Sequence, residues 1–88
     1  MFKGNVFERA MLKNVVFGTL AKQLNVTYAD PEYIRDCIGG NLRREDYIRL
    51  RRGVRWILSQ SGYGKISEED LKKILREGGI RIEGDDVK

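Results

Sequence analysis

The sequence predicts an all-α fold, a compact bundle of about four helices in one domain spanning residues 1–88. Three observations predict it. Apolar residues recur at steps of three and four over most of the chain. Helix start signals stand at Asp30-Pro31 and at Ser67, and paired glycines stand where two of the helices should stop. A chain of 88 residues, 41% hydrophobic and 34% charged, can fill one modest core but cannot form a cleft between two domains.

The first helix is expected over residues 5–25. Its apolar residues, among them Ala10, Met11, Val15, Val16, Phe17, Leu20, Ala21 and Leu24, wrap most of the circumference. That pattern suits a helix central to the core or shared with a second copy of the chain. Gly18 costs about 1 kcal/mol relative to Ala in a helix interior, so it is expected to mark a close crossing or a bend. Asp30 as N-cap, Pro31 at the first position and Glu32 in the first turn open a second helix over 31–38. Tyr33, Ile34, Cys37 and Ile38 form its expected buried side, Cys37 serving as a small hydrophobe. Gly39-Gly40 stops it, because glycine accepts the left-handed conformation of a helix C-terminus.

The third helix is expected over 42–61, with Tyr47, Leu50, Val54, Ile57, Leu58 and Ser61 on one side and Gly53 weakening its middle. Ser67 caps the fourth helix, 67–77, with Asp70 in the reciprocal position of a capping box and Ile66 and Leu71 placed as a hydrophobic staple. Leu71, Ile74 and Leu75 are its buried face, and Gly78-Gly79 ends it. Ile80-Arg81-Ile82-Glu83 alternates apolar and charged residues, which predicts an extended segment near 80–83. The tail from Gly84 to Lys88 is expected to be mobile.

Charge distribution carries the functional reading. The net charge is +4, and the excess is concentrated in the third helix, where Arg43, Arg44, Arg49, Arg51, Arg52 and Arg55 face only Glu45 and Asp46. Such a patch favours a polyanionic partner or an acidic protein surface. Arg43, Arg44, Arg51, Arg52 and Arg55 are the candidate nucleic-acid contacts, since a planar guanidinium can form two parallel hydrogen bonds to one phosphate. Local pairing, such as Glu45 with Arg49 at i,i+4, competes with this reading. Ile48 and Trp56 lie off the main apolar side and are candidate partner-binding residues. A structural role for Trp56 is to cover the edge of the core and stack on Arg52.

Other chemistries find little support. Histidine is absent and Cys37 is alone, so neither a zinc ligand set nor an internal disulfide can be assembled, and no metal or cofactor is expected. Gly62-Tyr63-Gly64-Lys65 departs from a phosphate loop, with Ile66 where Ser or Thr must stand and Ser59 where the first Gly must stand. No acid pair or nucleophile–base set is evident, so no catalytic residue is assigned. Glu8, Arg9, Lys13 and Asn14 interrupt the first twenty residues, against a signal peptide or membrane span, and a cytoplasmic location is expected.

Two short resemblances accompany these readings. Leu20-Ala21-Lys22-Gln23-Leu24-Asn25-Val26-Thr27 resembles the first half of the helix-turn-helix of transcription regulators, although Pro31 then takes the place of an early apolar residue in the second helix. Residues 54–88, with Leu58, Ser61-Gly62, Ile66 to Leu75 and Gly79-Ile80, loosely resemble a dimerising helix-loop-helix of archaeal and eukaryotic acidic ribosomal stalk proteins. In that family the segment lies near the start of the chain. The functional expectation is a non-enzymatic, helix-turn-helix-like nucleic-acid-binding protein, with DNA favoured over RNA on the helical fold and the partial helix-turn-helix, the sheet aromatics of common RNA-binding modules not being seen. It would act as a monomer or homodimer. The alternative is a protein–protein interaction or dimerisation module that docks through the first helix or through Ile48 and Trp56.

Overall fold

The computed structural model describes residues 6–63 and 65–84. Among these residues two pairs of helices are each followed by a very short strand, in the order α1 (Val6–Leu24), α2 (Pro31–Ile38), β1 (Asn41–Leu42), α3 (Arg44–Gln60), α4 (Glu68–Glu77) and β2 (Arg81–Ile82). The all-α reading holds. The expected helix start at Asn5 and the tail beyond Gly84 lie outside the described residues.

The core forms around one side of α1. Leu12, Val16, Phe17, Leu20 and Ala21 are buried, and α1 packs mainly on α3, which contributes Tyr47, Leu50, Val54 and Leu58. Burying each of these large apolar side chains contributes roughly 1.5–3 kcal/mol. α2 closes one end through Ile34, and α4 adds Leu71, Ile74 and Leu75. Ile66 and Leu71, placed as a staple by the sequence, are both buried in this cluster.

All four helices end in the same local way. A backbone N–H reaches six-to-one back over the last turn, Val26 to the carbonyl of Ala21 (2.9 Å), Gly40 to Arg35 (2.9 Å), Tyr63 to Leu58 (3.0 Å) and Ile80 to Leu75 (2.9 Å). The residue before each donor has positive φ: Asn25 (61°), Gly39 (67°), Gly62 (79°) and Gly79 (82°). These are Schellman closures, and they explain why asparagine or glycine stands at each stop. The starts are less uniform. Asp30 Oδ2 accepts the N–H of Tyr33 at 3.3 Å, and Ser67 Oγ accepts that of Asp70 at 3.1 Å, so only the Ser67 half of the expected capping box forms.

Several expectations are corrected. Leu42 is not the first residue of the third helix but part of β1, which pairs in parallel with β2 in the register Asn41 with Arg81 and Leu42 with Ile82. Arg81 N–H donates to Gly40 O and Glu83 N–H to Leu42 O, both at 2.8 Å. Parallel strands need a long crossover, and here α3 and α4 together supply it. Cys37 and Tyr33 are exposed rather than buried, because the short α2 docks through Ile34, with Ile38 only partly covered. Tyr33 packs edge-on against Tyr28, with ring centroids 5.2 Å apart. The close crossing falls at Gly53 and not at Gly18. A methyl group built on Gly53 would lie 3.0 Å from Thr19 Cγ2, whereas one on Gly18 would meet nothing within 4 Å.

Candidate nucleic-acid interface

α3 owes its helix to apolar residues at steps of three and four, and the same spacing decides which residues face outward. With Tyr47, Leu50, Val54 and Leu58 turned to the core, geometry at 100° per residue carries Arg49, Arg52, Trp56 and Ser59 to the opposite side and Ile48 and Arg55 to the flank beside it. Trp56 is 65% exposed and Ile48 is 37% exposed. Trp56 makes no ring or cation–π contact among the described residues, so the expected stack on Arg52 is not formed.

The structure divides the arginines into two groups. Arg43 and Arg51 are paired with acids, and Arg44 is bonded to a main-chain carbonyl. Arg43 pairs with Glu45 at 3.8 Å and with the largely buried Asp46 at 3.4 Å. Arg44 donates through Nη1 to the carbonyl of Glu83 at 3.2 Å, while its own N–H donates to Glu83 Oε1, also at 3.2 Å. Arg51 Nη1 donates to Glu68 Oε2 at 2.8 Å. Arg49, Arg52 and Arg55 form no ion pair among the described residues. Glu45 turns to Arg43, leaving Arg49 without the i,i+4 partner that its spacing offered.

Arg51 belongs to a cluster that joins α3 to the first turn of α4. The Tyr47 hydroxyl donates to Glu68 Oε2 at 3.1 Å, and the Arg51 guanidinium and Lys72 ammonium each lie 5.9 Å from the centre of the Tyr47 ring. Burial, followed by the hydrogen bond to Glu68 and that residue's negative charge, pushes the Tyr47 phenol up to about 12. The hydrogen bond from Tyr47, reinforced by Arg51 and Lys72, holds the Glu68 carboxyl below its ordinary range. Both shifts favour the bonded arrangement at neutral pH, which makes this cluster a clamp within the fold.

Past the C-terminal half of α3, Arg55, Ser59, Gly62 and Lys65 line an open groove of about 630 Å³. The left-handed Gly62 turns the chain after Ser61 and brings Lys65 to the same depression as Arg55. The free cations therefore run along the outward side of α3 and into this groove. Of the predicted contacts, Arg52 and Arg55 are brought together with Trp56 and Ile48, while Arg43, Arg44 and Arg51 are drawn into intramolecular contacts. Arg49 and Lys65 join the site although sequence reasoning does not select them. Arg49 could have been found from its position three residues before Arg52 and seven before Trp56.

This arrangement can hold anions and present an aromatic face. Among the described residues no group of acids, cysteines or histidines could hold a metal ion, and no helix is long and apolar enough to cross a membrane. Fold and surface together define a small all-α protein with one cationic, tryptophan-bearing helix face. Compared with known proteins, the chain matches no family model, no curated sequence and no solved structure.

Proposed function

We propose that the protein is a non-enzymatic nucleic-acid-binding protein that takes the phosphate backbone on the outward face of α3, through Arg49, Arg52 and Arg55, with Lys65 extending the path. The observation that carries this reading is the set of exposed guanidinium groups of Arg49, Arg52 and Arg55, which form no ion pair among the described residues, while Arg43 and Arg51 pair with acids and Arg44 bonds the Glu83 carbonyl. Guanidinium forks match phosphate oxygens, and positions on successive helical turns suit a repeating backbone charge. DNA is favoured as the target, because the exposed surface is helical.

Fluorescence anisotropy with labelled DNA, at low and high salt, tests the reading. The affinity should fall steeply with salt, since each neutralised phosphate releases a counterion. The combined Arg49→Gln, Arg52→Gln and Arg55→Gln variant should lose most of the affinity. Binding that is absent at low salt, or unchanged in that variant, overturns the proposal. A second reading, a protein-interaction module, is favoured by one observation: Ile48 and Trp56, two large apolar side chains of α3, are both exposed. A complex formed through these apolar side chains would respond little to salt.

A further inference from the structure

Trp56 and the occupied start of α3 together narrow what this face can take. A recognition helix inserted in a duplex major groove reads base edges with its N-terminal residues. Here that end is committed. Arg43 pairs with Glu45 and Asp46, the Arg44 guanidinium bonds the main-chain carbonyl of Glu83, and Gln23 Nε2 donates to the carbonyl of Asp46 at 2.6 Å. The arginines with no bonded partner among the described residues, Arg49, Arg52 and Arg55, lie further along the helix, around an indole that is 65% exposed. Arg52 stands one turn before Trp56 and Arg49 two turns before it, so the three form a single row. Arg55, on the neighbouring row, opens into the groove shared with Lys65.

An exposed indole has little to gain from a duplex, whose base faces are already stacked on each other. A single strand offers those faces, and base–aromatic stacking beside a cationic track is how such strands are held without sequence preference. We infer that the nucleic acid taken by this face is a single strand, with an unpaired base stacked on Trp56 and the adjoining phosphates held by Arg52 and Arg55. This inference rests on the nucleic-acid reading above and adds the class of strand. The chemistry recognised, a base face beside a phosphate, is common to single-stranded DNA and RNA.

The chain's single tryptophan makes the test direct. The full chain is titrated with oligodeoxyuridylate, with oligouridylate and with a mixed-sequence duplex of equal phosphate count, and both tryptophan fluorescence and anisotropy are followed. Tighter binding of a single strand than of the duplex, with quenching of Trp56, supports the inference, and the tighter of the two strands identifies the sugar. Trp56→Ala should weaken single-strand binding by about 5- to 150-fold, and Trp56→Phe should restore part of the loss. Duplex binding as tight as single-strand binding, with unchanged fluorescence, overturns the inference while leaving the nucleic-acid reading in place. Single-strand affinity unchanged in Trp56→Ala has the same consequence. If neither form binds at low salt, the nucleic-acid reading fails and the inference falls with it.

Discussion

The main-chain N–H of Arg44 and Oε1 of Glu83 meet at 3.2 Å across 39 residues of sequence. The N-cap of α3 is Arg43, whose side chain makes no capping bond. Glu83, just after β2, provides the missing acceptor and places a negative charge at the positive end of the helix. Glu83→Ala should therefore cost about 0.5–2 kcal/mol of stability, in the range of an N-cap removal. Glu83→Gln keeps an acceptor and loses only the charge, so it should cost less, about 0.3–1 kcal/mol at low salt. Urea denaturation of both variants checks the order.

Two glycines should respond to alanine with opposite signs. Gly18 lies inside α1 with open space where a methyl would go, so Gly18→Ala should stabilise by about 0.5–1 kcal/mol through helix propensity alone. A methyl on Gly78 would stand 2.6 Å from Cζ of the buried Phe17. Gly78→Ala should destabilise by about 1–3 kcal/mol through overpacking, and thermal melting of the pair compares them directly.

The Tyr47–Glu68 bond predicts a pH signature at both ends of the scale. A phenol raised from 10.0 to about 12 in the fold contributes fully below the unfolded value, and that contribution is lost as pH climbs from 10.0 through about 12. Glu68 is lowered in the fold, so its contribution is present above its unfolded pKa and is lost as pH falls through its folded one. The advantage of the wild type over Tyr47→Phe should be largest near neutrality, where it is about 1 kcal/mol. It should shrink in both directions, as urea melts across pH would show.

The arginines should separate into two functional groups. Arg44→Gln and Arg51→Gln remove intramolecular hydrogen bonds and should lower the unfolding midpoint in urea. Arg49→Gln, Arg52→Gln and Arg55→Gln break no ion pair among the described residues, so each should stay within about 0.5 kcal/mol of the wild-type stability. For each phosphate that the second group no longer neutralises, the log–log salt slope should become shallower by about 0.7 with a single strand and about 0.9 with a duplex.

Helices are legible in this sequence because their signals are local. Pro31 after Asp30, Ser67 before the acidic turn and glycines at three of the four stops act within a few residues of themselves. The strand at Asn41–Leu42 is not legible, since two residues show no alternation and their partner is forty positions away. The burial of Cys37 and Tyr33 is misread because an eight-residue helix offers more than one plausible apolar face, and only its docking through Ile34 selects between them. The cationic character of α3 is plain in the sequence. Which arginines stay free is not, because Glu68 and Glu83, the partners that withdraw Arg51 and Arg44, stand 17 and 39 residues further on.

The same long-range cap gives the chain a direction in time. On the ribosome, α1, α2 and α3 all emerge before the residues of β2, and α1 can begin to pack on α3 as soon as Leu58 is free. At about 5–20 residues per second, the first turn of α3 then waits some seconds with its leading N–H groups in water and Arg44 unheld. The arrival of Ile82 and Glu83 closes the strand pair and the cap in one event. A chain stopped just before Glu83 would keep every buried side chain of the core and leave the cationic helix unfastened at its root.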